Sequence, residues 1–296
     1  MSDDDRVRGQ VEPPTEEIAD VHLTVAAGEY EDAIEQIEGL EAETPLEEDW
    51  LGYLTGMSRL ARGDLDEAYE IFETVHDSVV SAPEARTEED RFRIAARCLK
   101  KMGWYHRQEG DYERAYAYHS MEHQLAERFG SYDELQDAAL SLDVDSYYLE
   151  MPQMSRRWLE ESIEAAEQIE RETYRVKSLG MCWNNLTGTL CELEAFEAAA
   201  DAAETSLSYW SEYEELEGTE ENRVVWANHI LADAYKRWGD HLVEDEGAEE
   251  GRPKLHRAKE AAETALELAE EREMSEEDIE DIGGKLEDID QSLEGI

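Results

Sequence analysis

Three short phrases recur along the chain and set its local geometry. They are Gly28-Glu29-Tyr30-x2-Ala33, Gly63-Asp64-Leu65-x2-Ala68-x3-Phe72 and Gly110-Asp111-Tyr112-x2-Ala115. A fourth, Glu194-Ala195-Phe196-x2-Ala199-x3-Ala203, has lost its glycine. Glycine at such a point suits the end of a helix, where the backbone turns through positive φ. The aspartate that follows is able to cap the next helix. The small alanine lets two antiparallel helices approach closely. On both sides of each phrase apolar residues recur at spacings of three and four, and alternating β-branched runs are absent. From Thr15, a candidate N-cap, almost everything therefore reads as helix. Breaks fall at Gly28, Gly63, Gly110, Gly130, Pro152 and Gly239, then through Glu244–Pro253.

Ahead of the turns lies a matching half-phrase: Leu99-x2-Met102-Gly103-x2-His106, Trp183-x2-Leu186-Thr187-x2-Leu190 and Leu231-Ala232-x2-Tyr235-x3-Gly239-Asp240. Large, then large-small, then large, then a turn, then small residues on a second helix resembles the tetratricopeptide repeat (TPR). The resemblance covers about residues 15–270. Turn anchors at 28, 63, 110, 150, 194 and 239 are mostly spaced more widely than the ~34 residues of a regular TPR. The fourth unit is degenerate: its turn is Glu150-Met151-Pro152, and Ser155, Leu159 and Ser162 replace the usual small-large-small set. The resemblance implies an all-α, right-handed α-solenoid of about six helical hairpins. Three stretches are expected: a flexible acidic leader at 1–14, a repeat array at 15–274 with an acidic loop insertion at about 241–252, and a C-terminal capping helix at 275–296. In that last helix Ser275 is the cap, and Ile279, Ile282, Leu286 and Ile289 form the buried stripe.

Charge bears on partners and habitat. The chain carries 77 acidic and 27 basic residues, a formal net charge of −50. Disorder does not follow, because seven Trp and fourteen Tyr fall inside periodic segments. Nucleic acid and anionic membranes are excluded as partners of the molecule as a whole. Lysine is scarce and arginine preferred, a composition similar to that of proteins from salt-in haloarchaea, whose molar salt screens like charges within ~3 Å. No apolar run approaches the ~18–20 residues of a membrane span. Met1-Ser2-Asp3-Asp4-Asp5 is not a signal peptide. Cys98, Cys182 and Cys191 form no CxxC pair and suit reduced, inert thiols in a cytoplasmic protein.

Acid is missing in places. Asp and Glu are absent from Trp50–Gly63, Arg91–Gln108, Thr173–Cys191 and Asn222–Ala232. Each gap coincides with the first helix of a repeat, which in TPR-like arrays lines the concave surface. Burial alone would exclude Lys and Arg as strongly as Asp and Glu, yet the second gap holds Arg91, Arg93, Arg97, Lys100, Lys101 and Arg107. Arg93, Arg97, Lys100, Trp104 and Arg107 step by four, three, four and three, which puts them on one stripe of one helix. By alignment to the repeat, Arg97, Lys100, Trp104 and Arg107 face the groove, with Asn184 and Gly188 in the fifth unit and Trp226, His229, Lys236 and Arg237 in the sixth. Arg and Trp on such a wall suit an anionic or C-terminal-carboxylate ligand. Two other readings stay open for the stripe: internal ion pairs with acidic helices of neighbouring repeats, and a homo-oligomer surface.

Catalytic signals are lacking. No GxGxxG, Walker loop, GxSxG or Ser/His/Asp constellation is present. His106, His119 and His123 have spacing that would allow a metal site, but two of them occupy positions where TPR-like folds put aromatic core residues. Packing is the favoured reading, and neither metal nor cofactor is expected. The Asp3–Asp5 and Glu244–Glu250 runs lack the order of a calcium loop. The expected function is a non-catalytic scaffold that binds a protein or peptide partner through Arg97, Lys100, Trp104, Arg107, Asn184, Trp226, His229 and Lys236. The alternative is a regulatory sensor whose groove takes a small peptide or metabolite.

Overall fold

The computed structural model describes residues 13–81, 87–218 and 222–296. Thirteen helices and no strand occur among the described residues. Most of the leader expected at 1–14, with its Asp3–Asp5 run, lies outside them. The chain divides into two compact units, Met1–Leu149 and Glu150–Ile296. None of the helices is long and apolar enough to cross a membrane.

The first unit holds α1 (Glu16–Ala26), α2 (Tyr30–Glu38), α3 (Pro45–Ala61), α4 (Leu65–Ser81), α5 (Glu88–Gln108), α6 (Tyr112–Phe129) and α7 (Tyr132–Tyr148). Their ends are written in local chemistry. Thr15, Thr44, Thr87 and Asp111 each cap a helix by accepting a backbone N–H from its first turn. Gly28, Gly63 and Gly110 sit at φ +82, +86 and +76. After each glycine the next residue's N–H reaches back over the turn, from Glu29 to Thr24, Asp64 to Arg59 and Asp111 to His106, all at 2.9–3.1 Å. That closes orphan carbonyls in a Schellman end. The core gathers Ile18, Val21, Trp50, Leu54, Phe72 and Met102. Two helix pairs approach where a glycine faces a large ring: a Cβ on Gly56 would lie 2.6 Å from Phe72, and one on Gly103 would lie 2.4 Å from His119.

The second unit holds α8 (Pro152–Glu167), α9 (Glu172–Glu192), α10 (Phe196–Glu217), α11 (Arg223–Asp245), α12 (Ala248–Glu271) and α13 (Glu276–Glu294). The α9–α10 turn repeats the Schellman pattern without glycine: Glu194 itself takes φ +56, and the Ala195 N–H reaches the Leu190 carbonyl at 2.9 Å. Small residues bring these helices together. Ala199, Ala200, Ala202 and Ala203 are buried on α10, and Trp210 lies where a Cβ on Gly180 would sit 2.9 Å away. Ser275 caps α13 by accepting from the Asp278 N–H, and Ile282 and Ile289 are fully buried.

The sixth hairpin differs from the sequence expectation. No acidic loop occupies 241–252: α11 continues through Asp245, α12 begins at Ala248, and Gly247 at φ +107 makes the turn. Gly239 is not the turn either. It lies inside α11, where a Cβ would meet Leu255 at 2.7 Å, as Gly56 meets Phe72 and Gly103 meets His119. The glycine is there for close approach, and Gly251 completes the contact, since its Cβ would lie 2.4 Å from the Gly239 carbonyl oxygen.

Candidate functional site

The expected site residues fall into two sets, Arg97, Lys100, Trp104 and Arg107 in the first unit and Asn184, Trp226, His229 and Lys236 in the second. In the first unit the basic stripe of α5 meets an acidic stripe of α7. Arg97 Nη2 lies 3.9 Å from Glu134 Oε1, and its guanidinium is 5.3 Å from the Trp50 ring centroid. Lys100 Nζ donates to Asp137. Arg107 donates from Nε to Asp145 Oδ1 at 2.7 Å and from Nη2 to the Ser141 carbonyl at 2.8 Å. Glu134, Asp137, Ser141 and Asp145 step by three, four and four, so they form one face of α7. Arg97, Lys100 and Arg107 of the stripe thus each have an acidic neighbour on α7. Burial disfavours charge on Lys100, but Asp137 and Glu122 outweigh it and hold the ammonium above its ordinary value. Burial also raises Glu134, against the pull of the Ser131 N–H, Arg93 and Arg97.

Behind this ladder lies a buried cluster that sequence reading did not assign. His119, 1% exposed, hydrogen-bonds Asp145, which is fully buried. Glu122 is buried, its Oε2 has no hydrogen-bond partner, and burial pushes its carboxyl up to about 8. Lys101 is drawn down to about 8 by burial and by the neighbouring Lys100 charge. Glu122 left a faint trace in the sequence, as an acid among the small and aromatic residues of α6. His106 stacks on Tyr118 at 5.2 Å, and burial lowers its value. No group of three His, Cys, Asp or Glu among the described residues is arranged to hold a metal ion. Cys98, Cys182 and Cys191 are buried and in no disulfide, and burial pushes Cys191 up to about 11.

In the second unit the terminal helix answers α11 in the same way. Lys236 Nζ sits 2.7 Å from Asp240 and 3.1 Å from Asp288 of α13. Burial works against its charge, but the two carboxylates raise it. Lys285 of α13 returns the contact to Asp233 at 2.5 Å. His229 Nε2 lies 3.8 Å from Asp281, its ring is edge-on to Trp226 at 5.6 Å, and burial lowers its value. Trp104 on α5 and Asn184 on α9 are half-buried and outside these ion pairs. Trp226 on α11 is half-buried in the same way.

Paired helices joined by tight turns, with a first helix read against the first helix of the next pair, decide the fold class. The fold is TPR-like. Among solved structures, apo RapI matches at TM-score 0.66 with 11% identity, covering 94% of this chain and 71% of that one. A signal-transduction ATPase with numerous domains and a tetratricopeptide-repeat sensor, from Pyrococcus horikoshii, matches at TM-score 0.64 and 11% identity. That match covers 91% of this chain, which spans only 40% of the ATPase. NprR in complex with its cognate peptide NprX matches at TM-score 0.50 and 11% identity, covering 92% of this chain and 76% of that one. At such identities the likeness is one of fold. No family model matches the chain, and no curated protein matches it in sequence.

Proposed function

We propose that the chain is a non-catalytic interaction module that takes a peptide segment or partner helix on its first-helix faces. The supporting observation is that each unit has a half-buried first-helix residue outside the ion pairs, Trp104 in the first and Asn184 in the second, and that in the first unit the cations on the helix of Trp104 are already balanced by α7. Balanced charge favours a partner read through apolar area and amide hydrogen bonds, with the ladder residues as a polar rim. This moves the emphasis from an anionic ligand to Trp104 and Asn184. A nucleic-acid partner is disfavoured by the net charge of −50.

The likeness to NprR bound to its cognate peptide supports a peptide as ligand and keeps a sensor reading beside the scaffold. The test is co-purification at native salt with three proteins: wild type, Trp104→Ala/Asn184→Ala, and Arg97→Glu/Lys100→Glu. The first double variant breaks no ion pair and should lose the partner while keeping its melting temperature. Equal partner yield from it would end the reading. Partner loss only with Arg97→Glu/Lys100→Glu, with folding intact, would return the site to the basic stripe. A sensor would release its partner when the small peptide is added, and a scaffold would not.

A further inference from the structure

A cleft of about 560 Å³ opens in the second unit between the first turns of α10 and the last turns of α11. Phe196, Glu197 and Asp201 line one side, and Trp238, His241 and Leu242 the other. The rings of Phe196 and His241 lie 4.9 Å apart. Glu197 and Asp201 are exposed, and their carboxylates make no hydrogen bond or ion pair among the described residues. No lysine or arginine lines the cleft; His241 is its one histidine, with Nε2 3.6 Å from Asp245, and Lys254 Nζ stands 3.4 Å from the Trp238 ring centroid beside it.

What such walls accept is shown one turn further along α10. Glu197, Asp201 and Glu204 step by four and three, so they share a helix face. Glu204 Oε1 accepts from Arg257 Nη2 at 2.6 Å and from the Tyr235 hydroxyl at 2.6 Å. The Arg257 guanidinium in turn lies 5.0 Å from the Tyr235 ring centroid. Carboxylate, ring and guanidinium there form a closed set. At Asp201 and Glu197 the carboxylates and rings recur, but the chain contributes no arginine. A planar guanidinium matches both a carboxylate and an aromatic face, whereas a lysine ammonium is a compact point charge.

We infer that this cleft binds an arginine side chain of a partner peptide, with Asp201 and Glu197 holding the guanidinium and Trp238 and Phe196 covering its apolar stem. The site lies on α10 and α11 and uses neither Trp104 nor Asn184, so it stands or falls separately from the first-helix face.

The test is calorimetric titration of the full chain at fixed salt with acetyl-Ala-Arg-Ala-amide, its citrulline isostere, its lysine counterpart and free argininamide. The arginine peptide should bind saturably. The citrulline peptide, with the same shape and no charge, should bind at least tenfold more weakly, and the lysine peptide several-fold more weakly. Asp201→Asn and Trp238→Leu should each weaken the arginine peptide about tenfold, with helicity and melting temperature checked for each variant. Equal binding of arginine and citrulline peptides would overturn the site. So would an unchanged affinity in Asp201→Asn, or no saturation at millimolar peptide. Free argininamide binding as tightly as the peptide would replace the peptide partner with a small molecule.

Discussion

The two units bury their helices in opposite ways. In the first, the interior around α5, α6 and α7 holds Arg93, His106, His119, Glu122, His123, Asp143 and Asp145, all buried and all ionisable. In the second, every buried polar side chain among the described residues is neutral: Ser155, Ser162, Ser178, Thr187, Thr189, Ser206 and Asn228. The serines there bond each other's surroundings at short range, Ser155 to Thr189 at 2.7 Å and Ser206 to the Gly180 carbonyl at 3.0 Å. One repeat geometry is thus filled by compensated charge in one place and by small neutral residues in another. An ionic interior is tolerant of shape but depends on every partner, because an unpaired buried charge is costly. A small-residue interior has no such electrical debt, but its shape tolerates little change.

The first way to break this contrast is to remove one partner. Asp145→Ala leaves Arg107 and His119 facing no carboxylate, and should destabilise the first unit by about 3–5 kcal/mol, read by denaturant unfolding. Arg107→Met/Asp145→Leu should recover much of that loss, because apolar residues of similar volume often replace a buried pair without cost. A single-variant loss below about 1 kcal/mol would mean the cluster is solvated in solution.

The next effect is one of pH. The Glu122 carboxyl titrates at about 8 in the fold, against an ordinary 4.5. Its neutral form is the one the fold favours. Its stabilisation is therefore complete below about pH 4.5 and is lost as pH rises through about 8. Lys101 runs the other way: held at about 8 instead of 10.5, it penalises the fold while protonated and releases that penalty as pH rises from about 8 to 10.5. Glu122→Gln keeps the shape and removes the descending limb. It should gain about 2–4 kcal/mol over wild type at pH 8 and little at pH 4. A pH-independent difference would show that Glu122 does not titrate in this range.

In the second unit the sensitive variable is volume. Gly251→Ala would put a Cβ 2.4 Å from the Gly239 carbonyl oxygen and 2.3 Å from Val243 Cγ2. The α11–α12 pair has to part, at about 1–3 kcal/mol, and the loss should not vary between pH 5 and 9. Gly283→Ala on α13, with open space at its Cβ, is the control and should be neutral or slightly stabilising through helix propensity.

Local features were legible in the sequence, and pairings between helices were not. Thr15, Ser275 and the glycines at 28, 63 and 110 act within a few residues of themselves, so spacing alone located them. Gly239 shows where that kind of reading stops. Glycine marks both a turn and a close approach, and what distinguishes them is Leu255 on the other helix. The basic stripe from Arg93 to Arg107 was visible as a stripe. Its neutralisation depends on Glu134, Asp137 and Asp145, which lie some forty residues away in the fourth unit, where the degenerate repeat hid the register. The buried Glu122 and the cleft beside Trp238 exist only once particular helices meet.

The smallest expected effect separates buried from exposed charge. Lys236 and Asp288 join α11 to α13 at 3.1 Å, but Asp288 is more than half exposed. Such pairs are worth about 0–1 kcal/mol, so Asp288→Asn should cost no more than that in dilute buffer. Raising salt toward molar shortens the screening length to about 3 Å and should erase the difference. The cost of Asp145→Ala should survive the same change, because the Arg107–Asp145 contact is shielded from solvent ions. If both variants lose their cost together in high salt, the first unit's ionic interior is open to solvent. If only Asp288→Asn does, the ladder behind α5 is a buried structural device and the salt response of the protein belongs to its surface.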